Sequence, residues 1–139
     1  MYLSLSTVLL VSPVLSSCDA LIDYAIDCID NDKPELRPAE LPNPILNQAY
    51  NQSISVSIRN EPYDDSFTYL FEFSGNFPTG IQATSSGRIV SIFGTPTVLG
   101  EFQFNVTVRV EAGVGLASDT HGLCSTVDSE YYSWSIQPM

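Results

Sequence analysis

Oxygen-bearing side chains crowd one short stretch near the start of the chain, DCIDNDKPEL. It contains Asp27, Asp30, Asn31 and Asp32, and calcium takes roughly six to eight oxygen ligands in proteins. We therefore consider a calcium site on Asp27, Asp30 and Asp32, to which residues 64–65 would add carboxylates if their loop lies close. The alternative is a solvated acidic linker, which is the commoner state of clustered carboxylates. The spacing differs from that of an EF-hand loop, and the linker is the favoured interpretation.

The single histidine, His121, follows Asp119 in a long loop rich in Gly, Ser and Asp. Ser, His and Asp are the residue types of a hydrolytic triad, but no G-x-S-x-G sequence positions a nucleophile. Zinc needs three or four ligands, and one histidine cannot supply them when the cysteines are tied in the disulfide predicted below. We therefore interpret His121 as a loop residue and predict that the chain is not an enzyme. A small hydrolase is the least favoured alternative.

The charge balance restricts the partners. Five Lys and Arg residues stand against sixteen Asp and Glu, which gives a formal net charge of −11 over 139 residues. Phosphate backbones repel such a chain, so nucleic acid is excluded as a partner. With 44% hydrophobic and 15% charged residues, the composition fits one folded, β-rich domain better than a disordered chain.

Residues 1–17 carry no charged side chain and are predicted to form a signal peptide. Their apolar core, Leu3 to Leu15, is shorter than the roughly 20 residues that a membrane-spanning helix needs. The segment ends in Leu15-Ser16-Ser17-Cys18, which resembles a bacterial lipobox. This resemblance implies a lipid on the Cys18 sulfur and a protein anchored at the bacterial cell envelope, facing the periplasm or the cell surface. An ordinary signal peptide with a chance cysteine is the alternative.

Residues 18–40 are predicted to be an acidic tether and lead-in, since their prolines cannot continue a helix. Residues 41–139 show strand patterns separated by turn residues, and they predict an all-β sandwich of about seven strands. Alternating or short apolar runs occur at 48–58, 67–74, 81–87, 88–94, 101–110 and 130–136.

Residues 41–110 carry a series of short motifs at regular places. They are Leu41-Pro42, Tyr50, Phe77-Pro78-Thr79-Gly80-Ile81, Gly87-Arg88-Ile89, Gly94-Thr95-Pro96-Thr97, and Gly100 before Phe102, Phe104, Val106 and Val108. This series resembles the immunoglobulin-like domains of bacterial surface proteins, which are close to the dystroglycan-type cadherin-like fold. The resemblance implies a sandwich displayed outside the cytoplasm, in a family that serves in adhesion, carbohydrate contact or spacing. Asp30-Asn31-Asp32-Lys33-Pro34-Glu35-Leu36 is also similar to the calcium-binding linker of cadherins.

Cys28 and Cys124 flank the region that carries this resemblance. Export favours oxidation, so we predict a disulfide between them and assign Cys18 as the odd cysteine. Free thiols remain an alternative, as does a redox pair, although the CxxC spacing that lowers a thiol pKa is missing.

Two binding functions follow as hypotheses. The first is a non-enzymatic module for protein binding or structural display, which uses a sheet edge or loops. The second is a carbohydrate-binding module, in which Tyr131, Tyr132 and Trp134 would stack on sugars. Alternation along the last strand argues that Trp134 at least is buried in the core instead.

Overall fold

The computed structural model describes residues 32–113 and 123–138, and this part of the chain consists of strands, turns and loops. The elements are β1 (Pro34–Arg37), β2 (Tyr50–Ile58), a 3₁₀ turn (Asp64–Ser66), β3 (Thr68–Gly75), β4 (Ile81–Ser86), β5 (Ile89–Gly94), β6 (Gly100–Glu111) and β7 (Val127–Ile136). Within these ranges, no helix has the length and apolar character needed to cross a membrane.

The strands form two antiparallel sheets with the orders β1-β2-β5-β4 and β3-β6-β7. This arrangement matches that of a constant-type immunoglobulin domain, in which the first, second, fifth and fourth strands face the remaining three. The predicted all-β sandwich is therefore confirmed. Alternation is clearest in β6, where Phe104, Val106 and Val108 point into the core and are almost fully buried.

The core is built around Trp134 of β7, which is 1% exposed. Its ring centroid lies 4.7 Å from that of Phe104 and 5.3 Å from that of Tyr50, so it contacts aromatic side chains from both sheets. Tyr132 stacks on Phe104 at 5.2 Å. Burial of these large rings removes much apolar surface from water, which is the main force that holds the two sheets together.

Two glycines allow the backbone of the β3–β4 connection to approach the turn after β5. The Thr95 N–H donates to the Gly80 carbonyl at 2.9 Å. Gly80 has φ +95° and Gly94 has φ +136°, and a Cβ atom at either position would lie about 2 Å from a backbone oxygen across the contact. Both positions therefore require glycine, because a side chain would collide with the backbone across the contact.

The sheet begins within the segment that the sequence assigns to the lead-in. β1 pairs antiparallel with β2, with Leu36 opposite Val56, and the Leu36 side chain is buried in the core. β1 has only four residues, and a proline stands at its first position and directly after it. The strand is therefore too short to show the alternation by which the other strands are recognised.

Candidate functional site

Residues 38–44 follow β1 and run along the side of the sandwich between β2 and β7. The Tyr132 hydroxyl, from one sheet, donates to the Pro38 carbonyl at 2.8 Å. The Tyr50 hydroxyl, from the other sheet, donates to the Pro42 carbonyl at 2.8 Å. Two tyrosines rooted in the core therefore fix the path of this segment.

Both phenols are held in the neutral form that can donate these hydrogen bonds. Burial raises the pKa of Tyr50 to about 12, and the indole of Trp134 offsets part of that rise. In the described chain, however, the buried Trp134 Nε1–H has no hydrogen-bond partner, so its interaction with the Tyr50 hydroxyl is weak. Burial also raises the pKa of Tyr132, and the carboxylates of Glu130 and Asp128 raise it further.

A groove of about 520 Å³ separates this segment from β7. Glu40 and Glu130 are among its lining residues, and no basic residue of the described ranges lines it. Tyr131 stands at its rim with 57% of its surface exposed. The lining residues are Ala39, Glu40, Leu41, Asn43, Glu130, Tyr131, Tyr132 and Ser133.

The β7 backbone is the wall of this groove. In an antiparallel ladder, alternate residues exchange hydrogen bonds with the neighbouring strand. The Val110 N–H donates to the Thr126 carbonyl at 2.8 Å, and the register runs on unbroken from there. Even-numbered residues of β7 therefore bond to β6, while odd-numbered residues direct their N–H and C=O groups away from it.

The outward N–H groups of Val127 and Ser135 are satisfied beside the groove, whereas those within it are open. The Ser135 N–H donates to Asn43 Oδ1 at 3.0 Å. For the outward N–H groups of Tyr131 and Ser133, the described chain contains no hydrogen-bond acceptor. β7 therefore presents two free donors and two carbonyls to the groove.

The edge of β1 differs, because its outward positions are occupied. The bond from the Val56 N–H to the Arg88 carbonyl shows that even-numbered residues of β2 bond to β5, so its odd-numbered residues bond to β1. In that register Pro34 and Leu36 direct their backbone groups away from β2. Proline has no N–H to offer, and the Leu36 N–H donates to Asp128 Oδ2 at 2.8 Å. β1 is thus protected against further pairing where β7 is not.

The three aromatic residues that the sequence proposes for sugar stacking do not share a face. Trp134 and Tyr132 are buried in the core, which confirms the expectation for Trp134. Tyr131 alone points outward, in register with Asn105 of β6. One exposed ring remains from the proposed platform.

Of the predicted calcium ligands, only Asp32 lies in the described chain. Its N–H donates to the Arg59 carbonyl at 3.2 Å, and its own carbonyl accepts the Cys124 N–H at 2.7 Å. Residues 64–65 are engaged elsewhere, since Arg88 contacts both of their carboxylates at 2.5 and 2.7 Å. In the described ranges, no group of three or more His, Cys, Asp or Glu side chains is placed to hold a metal ion.

Several predicted residues lie outside the described residues. They are the signal peptide 1–17, Cys18, Asp27, Cys28, Asp30, Asp119 and His121. The hydrogen bond from the Cys124 N–H nevertheless places Cys124 beside Asp32, which follows Cys28 by four residues in the sequence. The predicted disulfide stays a prediction, and the described geometry is compatible with it.

No family model matches the chain, and no curated protein does. Among solved structures, an endo-fucoidan hydrolase of glycoside hydrolase family 107 aligns with 78% of this chain at 14% identity and a TM-score of 0.50. The chain spans only 14% of that enzyme. Titin domain M7 aligns at 10% identity over 77% of this chain and 96% of its own, with a TM-score of 0.44.

A PapD-like domain of human CEP192 aligns at 13% identity over 100% of this chain and 98% of its own, with a TM-score of 0.43. At such low identity, these likenesses concern the fold alone.

Proposed function

We propose that the protein is a non-enzymatic module that serves protein binding or structural display at the bacterial cell envelope. The observation that supports this proposal is the open stretch of β7 beside the groove. Free sheet edges recognise other proteins through backbone hydrogen bonds, and an immunoglobulin-like fold provides a rigid frame for such an edge.

The proposed anchor is a lipid on Cys18, supported by the Leu15-Ser16-Ser17-Cys18 sequence after an apolar run. Several acyl chains would hold the protein at the membrane firmly, because each buried CH₂ group contributes about 0.8 kcal/mol. Mass spectrometry of the membrane fraction should find an acylated amino terminus at Cys18. A Cys18→Ala variant should leave the membrane, and an unmodified terminus at Met1 would contradict the proposal.

No cofactor is required for this function, and calcium at Asp27, Asp30 and Asp32 stays a prediction. Calorimetric titration with CaCl₂ would test it, with MgCl₂ as the control ion. Heat that is lost in an Asp30→Asn variant would support the site, whereas an absence of heat would favour the solvated linker.

Capture from the native envelope tests the function as a whole. The immobilised protein should retain a protein that free, soluble copies of the chain displace. A matched glycan array tests the second candidate, a carbohydrate-binding module, which the exposed Tyr131 ring favours. Glycan binding that disappears in Tyr131→Ala, without any retained protein, would replace the first candidate with the second.

A further inference from the structure

We infer that the groove binds an extended, basic peptide segment of a partner protein, which adds to β7 as a short strand opposite Tyr131 and Ser133. This inference rests on the proposed protein-binding function and names the chemistry of its site. It uses the free backbone of β7, the carboxylates of the groove and the positions of the neighbouring contacts.

The spacing of the free backbone groups favours a peptide. Tyr131 and Ser133 are two positions apart, which places equivalent groups roughly 7 Å apart along an antiparallel strand. Each residue offers one N–H donor and one C=O acceptor in the same direction. A second strand carries complementary groups at this repeat.

The ends of the groove limit the length of the bound segment. At one end, the Ser135 N–H already donates to Asn43 Oδ1, so pairing with a new strand stops at Ser133. The two outward positions that line the groove, Tyr131 and Ser133, pair with only about three to five residues of an extended chain, given a rise of about 3.4 Å per residue.

The groove also selects for positive charge. Glu40 and Glu130 line it, none of its lining residues in the described chain is basic, and the chain as a whole carries a net charge of −11. Glu130 shares the inner face of β7 with Tyr132, whereas Tyr131 lies on the outer face. A docked strand would therefore place basic side chains beside Glu130 and apolar side chains beside the Tyr131 ring.

The opposite edge of the same sheet provides a comparison. β3 is also an edge strand, but its single charged residue is Glu72, on the outer face. A basic strand should therefore prefer β7.

The probe is the blocked peptide acetyl-Lys-Val-Lys-Val-Lys-amide, titrated into the ¹⁵N-labelled full chain. We expect the amide signals of Tyr131 and Ser133 to shift, together with those of residues 39–43. A Glu-Val peptide of the same length should bind at least tenfold more weakly. Shifts confined to β3, or equal binding of the acidic peptide, would overturn the inference.

N-methylated peptides separate strand addition from simple charge attraction. Valines opposite Tyr131 and Ser133 would direct their N–H groups toward β7, while the lysine N–H groups would point away. Methylation of the valine nitrogens should weaken binding at least tenfold, and methylation of the lysine nitrogens should change it less than threefold. Equal effects of the two methylations would refute the proposed pairing.

A proline substitution tests the site from the side of the protein. Ser133→Pro removes an outward N–H without removing a bond to β6, and it should weaken peptide binding at least tenfold. Ser85→Pro is the matched control, because the N–H of Ser85 also points away from its neighbour β5 on the edge strand β4. It should leave peptide binding unchanged. Binding that Ser133→Pro leaves unchanged, in a protein whose spectrum shows an intact fold, would contradict the site.

The same variants distinguish failure of the site from failure of the function. If an envelope protein binds wild type and Ser133→Pro equally, this site is wrong although the protein-binding function stands. If wild type retains no envelope protein and the Lys-Val peptide causes no shifts, both proposals fail.

Discussion

At the scale of single residues, two adjacent tyrosines have opposite environments. Tyr132 is 2% exposed and donates to the Pro38 carbonyl, whereas Tyr131 is 57% exposed. Tyr132→Phe should lower the free energy of unfolding by about 1 kcal/mol, because it removes a hydrogen bond and leaves the carbonyl unpaired. Urea denaturation of both variants measures the difference, and Tyr131→Phe is the matched control that should change little. Equal losses in the two variants would contradict this assignment.

The buried phenols also predict how stability depends on pH. Burial raises the pKa of Tyr50 and of Tyr69 to about 12, above the value of about 10 in an unfolded chain. Their contribution is complete below pH of about 10 and is lost as the pH rises toward 12, since the unfolded phenols release protons first.

Denaturant unfolding between pH of about 9 and 11.5 should therefore show a falling free energy. The decline should be shallower in Tyr50→Phe, because that variant has one shifted phenol fewer. Parallel profiles for the two proteins would show that Tyr50 does not contribute to the alkaline loss.

At the scale of elements, a pair of glycines in different turns tests the close approach of the backbone. A Cβ atom at Gly80 would lie 1.9 Å from the Thr95 oxygen, whereas one at Gly87 would have nothing within 4 Å. Gly80→Ala should cost more than about 3 kcal/mol, because backbone must move in addition to the strain of positive φ. Gly87→Ala should cost only about 1 kcal/mol, the penalty for a left-handed residue. Thermal and urea unfolding measure both losses, and similar values would refute the collision at Gly80.

Most strands could be predicted because their side chains alternate between core and solvent. This pattern also separates Tyr132 and Trp134 from Tyr131. β1 is the exception, since it has only four residues, begins with a proline and is followed by another, and its place depends on pairing with a more distant part of the chain. The groove was likewise not predictable, because it depends on the path of residues 38–44 relative to β7. That path is set by the hydrogen bonds of Tyr50 and Tyr132. The Tyr132 bond joins two residues that are far apart in the chain.

On one side of the sandwich, the edge of β1 is closed to further pairing, whereas the edge of β7 is open. Pro34 has no N–H, the Leu36 N–H donates to Asp128 and Pro38 follows the strand directly, so β1 has no free outward donor. The prolines that interrupt the lead-in thus have a physical role in the sheet as well as in the sequence pattern. On the same side, the departing segment leaves part of β7 uncovered, which is where we propose that a partner binds.

At the scale of the whole molecule, the predicted disulfide would join the tether to the start of β7. The Cys124 N–H already bonds to the Asp32 carbonyl, so the segment that precedes β1 meets the segment that precedes β7 there. In the chain-entropy model, a bridge between Cys28 and Cys124 closes a loop of roughly 100 residues and contributes about 4–5 kcal/mol. Reduction should therefore lower the free energy of unfolding of a Cys18→Ser variant by about that amount.

The matched control is the triple serine variant at positions 18, 28 and 124, whose stability should not respond to reductant. Peptide mapping without reduction should recover one fragment that contains both Cys28 and Cys124. Alkylation of both thiols in the denatured, unreduced protein would contradict the bridge. If the bridge forms and Cys18 carries the proposed lipid, force on that lipid would reach the sandwich at the start of β7. The strand that carries the free backbone groups would then be the one attached most directly to the membrane anchor.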